Sequence, residues 1–512
     1  MGGDNKPSGP DLKAGIPESD LADGAIVLGQ ADGEAVLLTR RGGEIFAIGA
    51  TCTHYSGPLA EGVIDGDVVR CPWHHACFSL RTGEALHAPA FSPVSCWRVE
   101  RSGGRVYVRE KLEPSEKMQP ATARPAATSP QQIVLLGGGA AGFAAAEMLR
   151  REGFGGKVVM LSADESAPYD RPNLSKDYLS GNAPEEWIPL RGPEFYQENG
   201  IELVLGATAT AIDTKGRRVA LADGRSYAFD RLLIATGAEP VKLPIPGAEL
   251  PHVRTLRSLA DSRALVERAK ASRHAVVIGA SFIGLEVAAA LRHRGLDLHV
   301  VAPEQRPMEK VLGPQFGDFV RSLHEQNGVH FHLGRKPQSI NAKQVTLDDG
   351  STLAADLVVI GVGVRPRLEL AEKAGLTVDR GIVVNEQLET SVPGIFAAGD
   401  VARWPDHYSG EKLRIEHWVV AERQGQVAAL NMLGRGERFA AAPFFWSQHY
   451  DISIDYVGHA AQWDRLDIDG DMAAHDVAVR YRKNGRTMAV AVIFRGEESL
   501  KAEIAMEHGI SP

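Results

Sequence analysis

The chain has 512 residues, a formal net charge of −9 and 44% hydrophobic content, enough for roughly three or four domains, each with its own core. That balance argues against a broad nucleic-acid surface, and no run approaches the ~20 apolar residues of a membrane span. The start, MGGDNKPSGPDLKAG, has no apolar stretch for a secretory signal, and four cysteines make no disulfide scaffold, so a reducing cytoplasm is the expected compartment.

Residues 11–112 read as all-β, with short alternating runs at 25–28, 35–39, 45–48 and 105–108 between Asp-Gly and Gly-Gly turns. Inside lie Cys52-x-His54 and, after sixteen residues, Cys71-x-x-His74. Two Cys and two His also suit tetrahedral zinc. Each short loop, however, offers one thiolate and one imidazole, so the thiolates can hold one iron and the imidazoles another, the ligation of a Rieske [2Fe–2S] centre. The stretches CTHYSGPLAEG and CPWHHACFSLRTGEAL resemble the Rieske ferredoxins of ring-hydroxylating systems, which implies Cys52, His54, Cys71 and His74 as metal ligands. His75 reads as a packing or solvent-facing neighbour. The high-potential Rieske proteins of respiratory complexes carry an extra Cys in each loop, and these form a disulfide. Here Tyr55, Ser56 and Gly57 fill the first slot and Pro72 and Trp73 the second, and Cys77 and Cys96 read as buried thiols.

Residues 113–131, rich in Pro, Ala, Thr and Ser, read as a linker. The next stretch, IVLLGGGAAG at 133–142, predicts a buried strand entering Gly137-x-Gly139-x-x-Gly142, with a helix over 143–151. Strand, glycine turn and helix in that order suit a dinucleotide pyrophosphate. A second strand at 157–161 leads to Asp164 and Glu165, about twenty residues past the last glycine, where a ribose-binding acid is expected. PYDRPNLSK, at 168–176, resembles the FAD-dependent ferredoxin reductases, and the resemblance runs from 133 to the C-terminus. It implies Arg171 and Lys176 as cofactor contacts, with Lys176 beside the flavin ring and paired with Glu286 as the catalytic pair; Asn173 departs from the family's proline. It also implies that Thr236 and Gly237, after a strand at 231–235, pass the adenine half of FAD. From 97 to 512 there is no cysteine, so no thiol relay can carry the electrons.

The pattern then repeats, with a strand at 275–278, the loop Gly279-Ala-Ser281-Phe-Ile-Gly284 and a helix over 285–294, while 357–366 echoes 232–237. Two such units imply two dinucleotides, FAD in the first and a nicotinamide cofactor in the second. Ser281 stands where a middle glycine is usual and crowds the pyrophosphate approach. Glu304, after a strand at 297–301, favours the 2′-hydroxyl of NADH, whereas Arg306 would accept the phosphate of NADPH; NADH is the reading. IFAAGDV, at 395–401, matches the reductases' second FAD signature, which implies that Gly399 and Asp400 hold the ribitol side. Trp418 opens a helix over 419–433 and maps to an aromatic near the flavin, or to plain core. Strands at 452–457, 476–481 and 488–494 precede a terminal helix. PFFWS, at 443–447, resembles the reductase C-terminal domain, with Trp446 read as core.

The expected architecture is multidomain: an all-β Rieske domain (11–112), the linker (113–131), Rossmann-like α/β domains for FAD (132–250 and 373–436) and NAD(P) (251–372), and an α+β C-terminal domain (437–512). The resemblance extends to Rieske-containing relatives of apoptosis-inducing factor. It implies an NAD(P)H-dependent flavoprotein that passes electrons through FAD to its own Rieske cluster. From there they reach an external one-electron acceptor such as an oxygenase, ferredoxin or cytochrome. A redox-sensing interaction protein with slow turnover and an NADH oxidase are the alternatives, and a homodimer is left open. With few polar groups near the sulfides, a redox titration should place the cluster in the lower part of the family's roughly −150 to +300 mV range, and a value near the top would contradict this.

Overall fold

The computed structural model describes residues 9–113 and 130–512; most of the expected linker lies outside the described residues. Two compact units result, one of the amino-terminal residues together with Arg495–Pro512, the other Pro130–Phe494.

The first unit is built from short antiparallel strands, and within Glu34–Arg41 the run Val36–Thr39 is buried on both faces, between two core clusters. Ile26–Ala31, Glu34–Arg41 and Glu44–Gly49 form one three-stranded sheet, and Ile16–Pro17, Arg105–Lys111 and Trp97–Ser102 another. A four-stranded sheet, Val63–Asp65, Val68–Arg70, Cys77–Ser79 and Ala85–His87, carries the second Cys/His loop between its middle strands. The terminal helix Gly496–Glu507 packs in this unit, although the sequence groups it with 437–494. Its Glu503 is fully buried, and a buried carboxylate must meet cations; Arg70 donates to it at 3.0 Å.

In the second unit, the uninterrupted apolar run Gln132–Leu136 forms the central strand of a parallel five-stranded sheet, because a strand covered by helices on both faces needs no polar alternation. Its order is Ile201–Val204, Lys157–Leu161, Gln132–Leu136, Arg231–Ile234, Ile395–Ala397. The second half repeats it as Val253–Arg254, Leu357–Ile360, His274–Ile278, Asp297–Ala302, Val329–Leu333. In each half the chain order reverses beside the first strand, which opens a crevice at the strands' carboxyl ends. An antiparallel five-stranded sheet, Phe444–His449, Ile452–Gly458, Arg486–Ile493, Asp476–Lys483 and Arg465–Asp471, completes the unit. Among the described residues, no helix is long and apolar enough to cross a membrane.

Both glycine-loop helices begin earlier than the sequence suggests, at Ala140 and Phe282, so the last glycine of each motif lies inside the first turn. A Cβ on Gly142 would sit 1.9 Å from the Gly137 carbonyl oxygen. Gly137 itself has φ of +130°, and a Cβ there would meet the Ala235 carbonyl oxygen at 2.1 Å. Gly142→Val should therefore lower stability by about 1–3 kcal/mol through overpacking against backbone. Thermal unfolding measures this, and an unchanged midpoint would show that the helix is not held this close.

Candidate functional site

The second unit encloses a cavity of about 1460 Å³ at the carboxyl ends of the two parallel sheets. Gly137, Gly139, Asp164, Glu165, Arg171 and Lys176 line it from the first half, with Thr236, Gly237, Gly399, Asp400 and Trp418. Gly284 and Glu286 line it from the second half. Gly142, Gly279 and Glu304 are not in its wall. The two glycines serve backbone packing instead, Gly279 lying against Gly361 as Gly137 lies against Ala235. Glu304 is paired with Lys310 at 2.9 Å, and Lys310 does reach the wall.

At the glycine loop, a Cβ on Gly139 would meet nothing nearer than the Arg171 guanidinium, at 3.6 Å. Arg171 Nε is buried with no hydrogen-bond partner among the described residues. A buried guanidinium edge opposite open glycine backbone at a helix start fits an anion, and the pyrophosphate of a dinucleotide is the anion such a loop holds. Asp164 has both oxygens committed, accepting from Tyr169 Oη at 2.7 Å and from the Ser166 N–H at 2.9 Å. Glu165 lines the cavity beside it. Asp400 accepts from Arg257, a residue that no motif signalled, and the Gly399 N–H donates to Gln424 Oε1 at 2.8 Å.

Lys176 and Glu286, 110 residues apart, meet at 2.9 Å. The same carboxylate accepts from Ser175 Oγ at 2.6 Å and Ser447 Oγ at 2.7 Å. Glu286 is 4% exposed, so these donors replace the water it has lost. The Lys176 ammonium also lies 5.8 Å from the centroid of the Trp446 ring. Trp446, expected in the core, lines the cavity instead, as does Trp418 at the start of helix Trp418–Met432. At that helix N-cap, His417 Nδ1 is buried without a partner among the described residues, and burial pushes its pKa down to about 3.

In the first unit the two Cys/His loops have one design. The Cys52 N–H donates to the Gly57 carbonyl at 2.8 Å, and the Cys71 N–H donates to the Ala76 carbonyl at 2.8 Å. Each Cys carbonyl accepts from the N–H four residues on, Ser56 at 3.0 Å and His75 at 3.1 Å, and those two residues have φ of 62° and 59°. The loops bring the buried Cys52 and Cys71 thiols within hydrogen-bonding reach of each other. The His54 and His74 rings lie 5.0 Å apart, edge to face. His54 Nδ1 is buried with no partner among the described residues, and burial holds the ring neutral with its pKa down at about 3. Paired thiols, paired imidazoles and a bare ring nitrogen fit a two-iron cluster with unlike ends. Of its two expected readings, His75 packs. It is fully buried, with Nδ1 3.1 Å from Glu503 and Nε2 3.2 Å from Ser499 Oγ. All four cysteines are buried and outside any disulfide.

A pyridine nucleotide-disulphide oxidoreductase model matches residues 131–425, a Rieske [2Fe–2S] domain model matches 14–98, and a reductase C-terminal model matches 444–512. The chain belongs to the pyridine nucleotide-disulphide oxidoreductase family, whose members use FAD and NAD(P)H, and carries an amino-terminal Rieske [2Fe–2S] domain. Within that family it is a flavoprotein oxidoreductase of the ferredoxin-reductase type, similar to apoptosis-inducing factor 3. It is 34% identical to the Homo sapiens protein of that name over 471 residues, 89% of this chain and 77% of that protein. Putidaredoxin reductase of Pseudomonas putida is 36% identical over 376 residues, 72% of this chain and 89% of that protein. The solved covalent complex of putidaredoxin reductase with putidaredoxin superposes with a TM-score of 0.72 at 34% identity, over 74% of this chain and 94% of that one.

Glu286→Ala leaves the Lys176 ammonium, 12% exposed, without its carboxylate, and should cost about 3–5 kcal/mol in urea unfolding. Glu286→Gln, whose amide oxygen still accepts from a serine, should cost less. Equal losses would mean that charge pairing is not what stabilises this contact.

Proposed function

We propose that the protein oxidises NADH, feeds the electrons to its own Rieske cluster and passes them singly to a small external electron-carrier protein. The observation that carries this reading is the presence, in one chain, of a dinucleotide cavity walled by the Lys176–Glu286 pair and of two matched Cys/His loops. When bound, FAD accepts a hydride from the nicotinamide and gives up the pair one electron at a time, and the [2Fe–2S] cluster carries single electrons.

The chain's own residues supply placement and charge. Arg171 and the Gly137–Gly139 backbone would hold the FAD pyrophosphate, Glu165 the adenosine ribose, and Asp400 a ribitol hydroxyl. Lys176 sets a fixed positive charge beside the flavin, and Glu286, held by Ser175 and Ser447, orients it. Cys52 and Cys71 would hold one iron, His54 and His74 the other. Arg306 is held by two carboxylates, Asp318 at 2.8 Å and Glu309 at 3.3 Å, whereas Glu304 has the single partner Lys310 at 2.9 Å, which it would exchange for the 2′-hydroxyl of NADH. Relatives named as ferredoxin–NAD(+) and rubredoxin–NAD(+) reductases support both the NADH preference and a small protein acceptor. With no cysteine between 97 and 512, no thiol stands between flavin and acceptor.

Glu304→Ala should lower the NADH-to-NADPH ratio of kcat/KM about tenfold, the effect of one lost charge-assisted hydrogen bond. Cys71→Ser should abolish the cluster's EPR signal and the reduction of a protein acceptor, while ferricyanide is still reduced with NADH. Protein-acceptor reduction that survives Cys71→Ser would contradict the route through the cluster.

A further inference from the structure

The amino ends of the second parallel sheet, at the other end of its strands from the cavity, carry a group of histidines that the proposed site does not use. Strands His274–Ile278, Asp297–Ala302 and Val329–Leu333 run side by side, with His274 level with Asp297 and His299 level with His330. His332 follows His330 by two residues, so all five side chains lie on one face. Farther along the strands that face is covered, where Val276, Ile278 and Val301 share a core with Ile340 and Val345. Its amino half is open: the His330 side chain is 61% exposed, Asp297 46% and His274 42%.

Three imidazoles stand around the Asp297 carboxylate. His274 Nδ1 lies 3.1 Å from Oδ2, His299 Nε2 3.9 Å from Oδ2, and His330 Nε2 3.7 Å from Oδ1. The first separation is a hydrogen bond, and the other two are too long for one. They are nearer the roughly 3.4 Å between two ligand atoms that share one tetrahedral zinc ion. His299 is also held from behind, its Nδ1 3.0 Å from His332 Nε2. With His299 Nδ1–H donating to His332, its Nε2 is bare on the Asp297 side. Metal-binding imidazoles are fixed in this way, the far nitrogen donating to a second group that sets tautomer and ring angle. Burial and neighbouring imidazoles push the His299 and His332 pKa values down, against the pull of Asp297 and Asp349, so both rings are neutral at pH 7, the form that binds metal. A strand end half open to water needs only β-formers such as threonine, so the fold itself does not call for four imidazoles about one carboxylate.

We propose that Asp297, His274, His299 and His330 bind one divalent transition-metal ion of the zinc class, with His332 orienting His299. A set of imidazoles and one carboxylate suits Zn2+, Co2+, Ni2+ and Cu2+, whereas Mg2+ and Ca2+ take oxygen ligands. As they stand, these side chains meet one another and do not yet converge on one point. Closing the site takes a turn of His330 and His274, the two rings with open space beside them. Bound there, the ion ties three neighbouring strands together at their amino ends, so zinc raises the temperature at which the second parallel sheet unfolds. The site stands apart from the cofactor cavity and holds whether or not the protein oxidises NADH.

Two measurements on the full holoprotein, prepared without a histidine tag, test this. Equilibrium dialysis against micromolar Zn2+ should give one zinc per chain in addition to the cluster iron. His332→Asn, which removes only the orienting partner, should lower zinc affinity about tenfold, and Asp297→Asn or the exposed His330→Asn should lower it further. X-ray absorption at the zinc edge should show nitrogen and oxygen ligands at about 2.0–2.1 Å, with imidazole scattering and no sulfur. Failure of the wild-type protein to take up zinc would overturn the assignment, as would unchanged affinity in Asp297→Asn and His330→Asn. Sulfur at about 2.3 Å would also overturn it, because the ion would then sit at the cysteine loops.

Discussion

A carboxylate taken out of water costs several kcal/mol unless cations and donors surround it, and Glu286 is where the second unit meets that cost. Its partners come from two stretches far from it in sequence: Ser175 and Lys176 follow the strand Lys157–Leu161, and Ser447 lies in the first strand of the C-terminal sheet, while Glu286 itself follows the second glycine loop. Each must be in register for the others to be satisfied. A site assembled this way is positioned by folding itself, and Lys176 acquires a fixed charge on the cavity wall without needing a motif of its own. The glycine loops contribute a different constraint, close backbone approach, which sets where the helices begin and how open the crevice is.

The first unit solves a similar problem with other residues. Glu503 is fully buried and is met by Arg70 at 3.0 Å and by His75 Nδ1 at 3.1 Å. Arg70 also donates to Glu507 at 2.7 Å and to Asp65 at 3.1 Å, so one guanidinium ties the helix to the strand that enters the second Cys/His loop. His75 belongs to that loop, one residue past the expected ligand His74. The C-terminal helix is thus part of the support for the loop that carries half of the proposed cluster ligands. In both units a buried carboxylate from one segment fixes residues drawn from distant ones.

Much of this was legible in the sequence. Apolar runs ending in spaced glycines marked both parallel sheets, and the two Cys/His pairs marked the Rieske domain, because backbone approach and metal ligation each demand particular residues at particular spacings. Contacts made across long sequence separations were not. Nothing local to Ser447, Arg257 or Glu503 indicates that each ends against a charged partner more than a hundred residues away. His75, left open between packing and solvent, packs, whereas Trp446 lines the cavity and not the core, because an indole in an apolar stretch has no local feature that decides between the two. The terminal helix follows the strands of the last sheet in sequence, so only the partner of Glu503 shows where it packs.

Electron transfer from NADH to the chain's own cluster is open to one decisive measurement, anaerobic mixing of the holoprotein with NADH followed by stopped-flow absorbance and freeze-quench EPR. Flavin bleaching and then the reduced-Rieske EPR signal are expected, within one turnover and without added protein. Complete flavin bleaching with the cluster left oxidised would contradict it.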